Sequence, residues 1–395
     1  MRKYLLGLAA TAMVLGGPAA VSLDGQTITL QGGDRELTHA PVSAPYSGPA
    51  PEGRVEVIHE ATGESAPATV HAGALTFVPA SIAAGENQAY RVVVHPENNP
   101  PRVHVEVDED AGQAAVYVQG DHFTTYNFGE DMRMPILWPV HAEGGITITR
   151  NYPMGEDEVE STDHPHHMSM WSTHGDVNGY DFWHAETKVT RNLEAGSGDA
   201  YGWIRAENDW VGPDGDPVVA EERVYKFYNT PASGRLFDLS ITLKAGYGDV
   251  EFGDTRETGL FAFRIRPEIQ GNNAGVLTNA NWDQTESEVW GLEADWMDYS
   301  GPVEGVGNRG IAAFAHPDNL RHPPHWHVRD YGLVASNPFG ASEFPETEES
   351  GAYTLSEGEE LTIQFRCYIH SGDVEEAGVA GHYELYANPL SAELE

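Results

Sequence analysis

Short stretches in which apolar and polar residues alternate dominate the sequence, and they constrain its fold more than any other feature. Gly, Pro, Asn or Asp bound most of them, as expected of β-strands and their turns. The stretches lie at 27–30, 55–59, 90–94, 103–107, 114–118, 145–149, 222–227, 236–243, 261–265 and 361–369. No long stretch has the period of a helix, so the sequence predicts an all-β protein.

A turn-rich segment, PENNPP at 96–101, interrupts this pattern. The strands before it suffice for one small β-sandwich, and the strands after it have the density of a large antiparallel domain of two packed sheets. We therefore predict a small N-terminal β-sandwich module at 21–108 and a large domain at 109–395.

The first residues have the features of a secretory signal peptide. Arg2 and Lys3 precede an apolar run at 4–15, and small residues follow at 16–20. We predict a signal peptide at 1–20 and export to the periplasm or the extracellular space. No later segment approaches the roughly 20 apolar residues of a membrane-spanning helix, so we expect no integral membrane span.

The chain is strongly acidic, because 61 Asp and Glu against 22 Lys and Arg give a net charge of −39. This charge excludes a nucleic-acid-binding surface. An acidic, lysine-poor surface is typical of proteins in high salt, where screening weakens self-repulsion, so we expect a halophilic or marine source. Cys367 is the only cysteine, which excludes an intrachain disulfide and a Cys-based metal site.

Half of the 18 histidines fall in two short windows, 164–184 and 316–327. The first window begins within the motif DHPHH at 163–167. The proline of this motif favours an extended loop, and reactive side chains are common in loops. The second runs into HWHVR at 325–329, where alternation would put both histidines and the arginine on one strand face. Burying three such groups without partners would be unfavourable, so they indicate a polar site.

Two kinds of site fit these windows. Imidazole is the commonest metal ligand, and two histidines on one strand face could supply two ligands to a divalent metal. Arg329 on the same face would repel a cation, so a metal-free acid–base pocket fits better, and we assign no metal ligands. The remaining alternative is that the histidines only hydrogen-bond their own loops.

A third segment, GDTRETG at 253–259, places Glu257 between strands as a candidate general base; the alternative is a surface turn with a weak ion pair. Aromatic residues gather near the three segments and would suit a sugar ring, although in a β-sandwich such residues more often belong to the core. They are Trp171, Tyr180, Phe182, Trp183, Trp290, Trp296, Tyr299, Trp326 and Tyr331.

Several motifs, taken in order, resemble the bacterial PmoA family, which is also labelled methane oxygenase PmoA. They are TRNYP at 149–153, DHPHH at 163–167, HGDVNGYDFW at 174–183, GDTRETG at 253–259, WMDYSG at 296–301, WHVRDYGL at 326–333 and NPFG at 337–340. The resemblance extends over about 110–390. The ending LTIQFRCYIHSG at 361–372 is similar to the last strand of galactose-mutarotase-like supersandwich proteins.

The resemblance implies an exported β-supersandwich protein of uncharacterised activity, of a kind that accompanies sugar catabolism. It does not imply a methane monooxygenase, because the particulate enzyme is built of membrane-spanning helices. A supersandwich over 109–395 would give the large antiparallel domain its architecture.

We therefore predict a carbohydrate-active enzyme of epimerase, lyase or hydrolase type that acts on a small saccharide or uronate. His167 and His327 would exchange protons, and Glu257 or Asp330 would orient or assist them. The predicted substrate-binding residues are Arg150, His164, Asp176, Asn178, Trp183, His325, Arg329 and Tyr331. This mechanism requires no cofactor. The alternatives are a non-catalytic saccharide-binding protein and a metal-dependent oxygenase or hydrolase.

Molar salt should stabilise the protein, because it screens the repulsion within a chain of net charge −39. The melting temperature, followed by circular dichroism, should rise between low and molar sodium chloride. A melting temperature that stays constant or falls would contradict the expected high-salt origin.

Overall fold

The computed structural model describes residues 22–395 except 34–35, 86, 98, 156–159 and 346–348. The signal peptide predicted at 1–20 lies outside the described residues. The described chain is almost entirely β, which confirms the predicted fold class, and its helices are short. They are the α-helices Glu286–Val289 and Val379–Ala387 and the 3-10 helices Pro267–Ile269 and Ala341–Glu343. None of these described helices is long and apolar enough to cross a membrane.

Six strands from the N-terminal region and the last strand of the chain form a seven-stranded antiparallel sheet around a core of its own. Buried and exposed residues alternate along its strands, as at Val55 and Val57, which are buried on either side of the half-buried Glu56. The two edge strands contact each other, so the sheet curls around its core. In spatial order the strands are Ala392–Leu394, Thr27–Leu30, Gln88–His95, Arg54–His59, Ser65–His71, Ala74–Phe77 and Val42–Pro45.

A short ladder lies beside this sheet, where Leu37–Thr38 pairs with Ser81–Ile82 and adds two residues to the same core. The strand Ala392–Leu394 brings the end of the chain into the seven-stranded sheet, although the predicted boundaries place it in the large domain. The division of the chain at residue 108 stays a prediction.

Two larger antiparallel sheets form the rest of the fold. The first has nine strands, which are His325–Val328, Leu333–Asn337, Thr258–Arg264, Met170–His174, Ile136–Ala142, Asp121–Asn127, Gln113–Val118 and Val103–Asp108 in spatial order, with Ile146–Thr147 paired to Ile136–Ala142. The second has eight strands, which are Thr187–Gly196, Tyr201–Val211, Pro217–Tyr228, Gly234–Lys244, Glu360–Ser371, Gly307–Ala315, Trp296–Val303 and Val276–Asn279. A further ladder pairs Val250–Phe252 with Tyr353–Leu355.

The two large sheets pack face to face around one hydrophobic core. The ring centroid of Phe123 in the nine-stranded sheet lies 6.0 Å from Phe227 and 6.3 Å from Phe237 in the eight-stranded sheet. Phe261 and Phe365 stack across the same interface at 5.5 Å. Each sheet therefore has one face in the core and one face outside it.

A group of charged side chains is fully buried inside this sandwich. Glu221 accepts hydrogen bonds from Asn208 (2.9 Å), Trp210 (2.8 Å) and Arg223 (2.7 Å), and Lys188 Nζ lies 3.5 Å from its carboxylate. Burial alone would raise the pKa of Glu221, but the charges of Arg223 and Lys188 outweigh burial and lower the pKa to about 2. The carboxylate therefore stays ionised and balances the buried cations.

Replacing Glu221 by Ala should destabilise the fold by about 3–5 kcal/mol, because the change leaves buried cations without a counter-charge. The matched control is Glu222→Ala, since Glu222 pairs with Arg205 and Lys244 at the surface. That change should cost less than about 1 kcal/mol. Urea denaturation of both variants measures the difference, and equal losses would contradict the role given to Glu221.

Candidate functional site

Four neighbouring strands at one edge of the nine-stranded sheet carry a row of side chains on the face away from the core. Cross-strand pairing aligns Trp171 with Ala262, Ala262 with Ala335, and Ala335 with His327. Adjacent strands lie about 4.8 Å apart, so the four residues form one row across the sheet. Trp183 packs with Trp171 and the two alanines, and the row is the floor of the candidate site.

The strand His325–Val328 shows the alternation that its sequence predicts. Trp326 and Val328 are fully buried in the core between the two sheets. His327 therefore points to the outer face, and the half-buried His325 and Arg329 flank it along the chain. Local sequence alone fixes this choice of face.

His327 is 3% exposed, and its Nδ1 lies 2.9 Å from the carbonyl oxygen of Arg256. A carbonyl can only accept, so Nδ1 carries the proton and donates, and Nε2 keeps a lone pair. This Nε2 is buried and has no hydrogen-bond partner among the described residues. Burial, followed by the charge of Arg329, lowers the pKa of His327 to about 3, so the ring is neutral.

His167 has the opposite arrangement of protons. Arg264 Nη1 lies 3.1 Å from its Nδ1, and a guanidinium can only donate, so the proton of the neutral ring is on Nε2. The ring stacks on Trp171 at 5.4 Å and lies edge to face with Trp183 at 5.6 Å. Burial lowers the pKa of His167 well below its usual value, and nearby positive groups, including His327 if it were protonated, add to this. His167 thus offers an N–H donor at Nε2, and His327 offers a lone pair at Nε2.

The loop that carries His167 is held by two buried arginines. Arg150 donates to the backbone carbonyl oxygens of Ser161 (2.5 Å), Asp163 (2.6 Å) and His164 (3.2 Å). The Asp163 carboxylate lies 3.1 Å from Arg150 and 3.2 Å from Arg264 and so bridges them. Arg150, which the sequence suggested as a substrate clamp, therefore uses its guanidinium to anchor the loop.

Half-buried side chains form the mouth of the site. Tyr331 stacks on His164 at 5.0 Å, and the Arg264 guanidinium lies 4.4 Å from the centroid of its ring. Burial raises the pKa of Tyr331, and the charge of Glu257 adds to this rise. Arg329 lies 3.3 Å from Glu286 at the same mouth. The side chains of Tyr331, Glu286 and Arg329 are thus half-buried and partly exposed to solvent.

In the floor and the adjoining Trp183, three buried polar atoms have no hydrogen-bond partner among the described residues. They are the indole nitrogens of Trp171 and Trp183 and Nε2 of His327. Buried polar groups are nearly always satisfied in folded proteins, and an orphan group calls for an explanation such as an unseen ligand or water. Two donors and one acceptor in contact with the same floor fit a polar ligand better than a packed core.

Asp176 and Asn178 hold a turn. Asp176 Oδ1 accepts a hydrogen bond from the backbone of Gly179 (3.0 Å). The Asn178 side chain accepts from the backbone N–H of Glu251 (2.7 Å) and donates to the carbonyl oxygen of Asp249 (3.2 Å). These contacts tie the segment that leads to Trp183 onto the neighbouring strand, and they occupy both side chains.

His325 and Asp330 have their contacts outside the floor. His325 Nδ1 lies 2.9 Å from the carbonyl oxygen of Gly291, and its ring stacks on Phe344. The backbone N–H of Asp330 donates to the Glu286 carboxylate, and the backbone carbonyl of Asp330 accepts from the hydroxyl of Tyr299. Of the predicted site residues, the structure brings together His164, His167, Trp183, His327 and Tyr331.

Sequence reasoning missed Arg264 and Glu286. Arg264 ends the strand Thr258–Arg264, in which Phe261 and Phe263 point into the core, so alternation could have shown that its side chain points outward. Nothing in the local sequence marks Glu286 as the partner of Arg329. Within the described residues, no group of three or more His, Cys, Asp or Glu side chains is arranged to hold a metal ion.

A family model described as a family of unknown function, DUF6807, matches residues 113–384. The chain belongs to this family. The DUF6807 match includes the whole floor and both histidines, and it carries a different name from the PmoA family that the motifs resemble. No curated protein matches the chain.

Among solved structures, this DUF6807 chain is similar to an alpha-mannosidase from Enterococcus faecalis V583, with 9% identity over 95% of this chain and 46% of that chain and a TM-score of 0.40. The Slr1438 protein from Synechocystis sp. PCC 6803 is 8% identical over 69% of this chain and 97% of that one, with a TM-score of 0.33. A glycoside hydrolase family 97 enzyme from Pseudoalteromonas sp. strain K8, in complex with acarbose, is 10% identical over 68% of this chain and 34% of that one, with a TM-score of 0.28. The chain thus spans less than half the length of the alpha-mannosidase.

His327 should stay neutral between about pH 5 and pH 9, with a pKa of about 3 and its proton on Nδ1. The change Arg329→Ala should raise this pKa because it removes a positive charge, while burial should still hold it below 6.5. Imidazole ¹⁵N chemical shifts, assigned with His327→Gln and followed against pH, measure both values. A wild-type pKa near 6.5, or protonation at Nε2, would contradict the assignment.

Proposed function

We propose that this DUF6807 member is an exported carbohydrate-active enzyme that takes a proton from a uronate-containing saccharide with His327. The observation that carries the proposal is the unpartnered, buried Nε2 lone pair of His327, which lies near enough to His167 for a charge on one ring to lower the pKa of the other. A general base needs a free lone pair in a site that excludes water, and a neighbouring donor can stabilise the negative charge that forms.

The tautomer of His167 refines its predicted role. A neutral imidazole is a very weak acid, so His167 would not give up its Nε2 proton; it would donate a hydrogen bond to an oxygen that gains negative charge. His327 would accept the carbon-bound proton next to the carboxylate. It would then return that proton to carbon in an epimerisation, or pass it to the departing oxygen in an elimination.

Binding of a substrate carboxylate at Arg329 would strengthen the proposed base. With a pKa of about 3, free His327 holds a proton weakly, and the charge of Arg329 is one cause. A substrate carboxylate paired with Arg329 would cancel part of that charge and raise the pKa of His327. This coupling favours a uronate over a neutral sugar, because only the uronate brings the negative charge.

The mouth of the site supports a sugar ligand. The half-buried Tyr331 adds an aromatic side chain at the mouth, and Glu257 and Arg329 offer an acceptor and donors for the hydroxyls of a sugar. The motif resemblance to the PmoA family and the similarity of 361–372 to galactose-mutarotase-like supersandwich proteins agree with this proposal. The proposal also includes export through the predicted signal peptide and a high-salt habitat.

A non-catalytic saccharide-binding protein is the second candidate function. The pKa values of both His167 and His327 are lowered, so both rings stay neutral in the free protein across the neutral range. Neutral rings can bind hydroxyls through the same donor and acceptor without any proton transfer. The products of incubation with oligosaccharides separate the two candidates.

Replacing His327 by Ala should lower turnover of uronate oligosaccharides by about 10²–10⁴-fold, the usual contribution of a general base. The matched control is His104→Ala, since His104 lies on the strand at the opposite edge of the same sheet. Proton NMR of the products measures turnover, because it distinguishes an epimer and an unsaturated uronate from the substrate, and circular dichroism checks the fold of both variants.

Unchanged turnover in His327→Ala would remove His327 from the mechanism. Binding of oligosaccharides by the wild type without any product would favour the non-catalytic candidate. Elemental analysis of the dialysed protein completes the test, because a near-stoichiometric transition metal would favour the metal-dependent alternative.

A further inference from the structure

We propose that a second saccharide-binding site, specific for neutral sugars, lies on the outer face of the eight-stranded sheet around Trp282. A cavity of about 320 Å³ lies there beside the edge strand Val276–Asn279. Thr278 and Ser300 line it, whereas their neighbours Leu277 and Tyr299 are in the core between the sheets. The cavity and the histidine floor therefore lie on opposite sides of the sandwich.

Trp282 is the most distinctive residue of this cavity because its side chain is 49% exposed. Its ring meets the buried Trp296 edge to face, with centroids 6.0 Å apart, so one part of the indole is fixed and the rest is free. Asn279 Oδ1 accepts hydrogen bonds from the backbone N–H groups of Asn281 (2.9 Å) and Asp283 (3.0 Å) and holds the turn on both sides of the tryptophan. The ring is thus presented to solvent by an ordered turn.

The backbone at Trp282 adds to this picture. Its φ is 67°, a left-handed conformation that bulky side chains rarely adopt. A conformation of this kind persists only where surrounding contacts impose it, and it is commonest at functional sites. Here it directs a large apolar side chain outward, where about half of the residue stays exposed.

Polar groups surround the exposed ring. Asp373 and Glu375 supply carboxylates, and Gln284 and Asn308 supply amides. The side chains of Asn308 and Glu375 have no hydrogen-bond or ion-pair partner among the described residues, so both are free to meet a ligand. An aromatic face beside acceptors and amides matches a sugar ring, whose C–H face packs on the indole while its hydroxyls take the polar partners.

The charge of the lining selects among sugars. Two carboxylates line the cavity, and none of the described residues that line it is Lys, Arg or His. A uronate would meet unpaired negative charge there, which is unfavourable, whereas the hydroxyls of a neutral sugar can donate to both carboxylates. The volume of about 320 Å³ is within the range of small-ligand pockets and would hold a terminal sugar unit.

A peptide strand fits this edge less well than a sugar does. The outer side of Val276–Asn279 is partly occupied, because Gln284 forms a bridge with Thr278. A peptide that extended the sheet would have to displace this bridge before it could pair with the edge. The neutral saccharide needs no such rearrangement.

Affinity electrophoresis tests the proposal with the full-length mature protein. Native gels would contain xyloglucan, galactomannan or mixed-linkage β-glucan as neutral polysaccharides, or alginate as a uronate polymer. At least one neutral polysaccharide should retard the wild type. Trp282→Ala should weaken that retardation by at least about tenfold in apparent affinity, because it removes the aromatic anchor. Trp282→Tyr should retain part of it.

Two controls make the result specific. Tyr247→Ala removes an aromatic side chain that is 47% exposed elsewhere on the surface, and it should behave as the wild type. His327→Ala should also be retarded as the wild type is, so loss of the proposed chemistry and loss of this site are distinguishable. Any retardation by alginate should be the same in Trp282→Ala and the wild type.

The proposal is overturned if none of the neutral polysaccharides retards the wild type. It is also overturned if Trp282→Ala and the wild type are retarded equally while their melting temperatures agree. Should Trp282→Ala fail to fold, Asn308→Ala replaces it, because that change removes a free amide at the same cavity and leaves the packing against Trp296 intact.

Discussion

Each large sheet buries one face in the shared core, and this constraint decides where polar chemistry can occur. A charged residue on the inner face needs partners that are buried with it, as Glu221 has in Arg223 and Lys188. A side chain on the outer face does not meet the opposite sheet, so it can keep a polar atom for a ligand. The nine-stranded sheet leaves His327 such an atom, and the eight-stranded sheet leaves an exposed ring at Trp282.

The position of His167 depends on one carboxylate. Burial alone would raise the pKa of Asp163, but the charges of Arg264 and Arg150 outweigh burial and lower it. A carboxyl group whose pKa is lowered on folding stabilises the folded state at pH values above its usual pKa. This stabilisation is lost as the pH falls through the lowered pKa. Asp163 thus fixes Arg264, and Arg264 in turn fixes the tautomer of His167. The ion pair between Asp163 and Arg264 therefore determines that the proton of His167 is on Nε2.

Alternation along the chain predicted the strands and the face on which His327 lies, because both depend only on neighbouring residues. The row from Trp171 to His327 could not be predicted, since it needs the register of strands that are far apart in sequence. Arg150 shows that the contacts of a single side chain are also hard to predict from sequence. Its type and motif suggested a ligand clamp, but the folded loop offers it three carbonyl oxygens and a carboxylate.

A net charge of −39 would repel an anionic sugar from a distance, while Arg329 would attract its carboxylate at contact. Salt separates these two effects because the Debye length falls from about 30 Å at 0.01 M to about 3 Å at 1 M. At molar salt the long-range repulsion is screened, but a half-buried guanidinium still pairs with a carboxylate that touches it. A high-salt habitat would therefore allow one chain to combine an acidic surface with a uronate site. The cavity at Trp282 needs no such help, since a neutral sugar feels no net field.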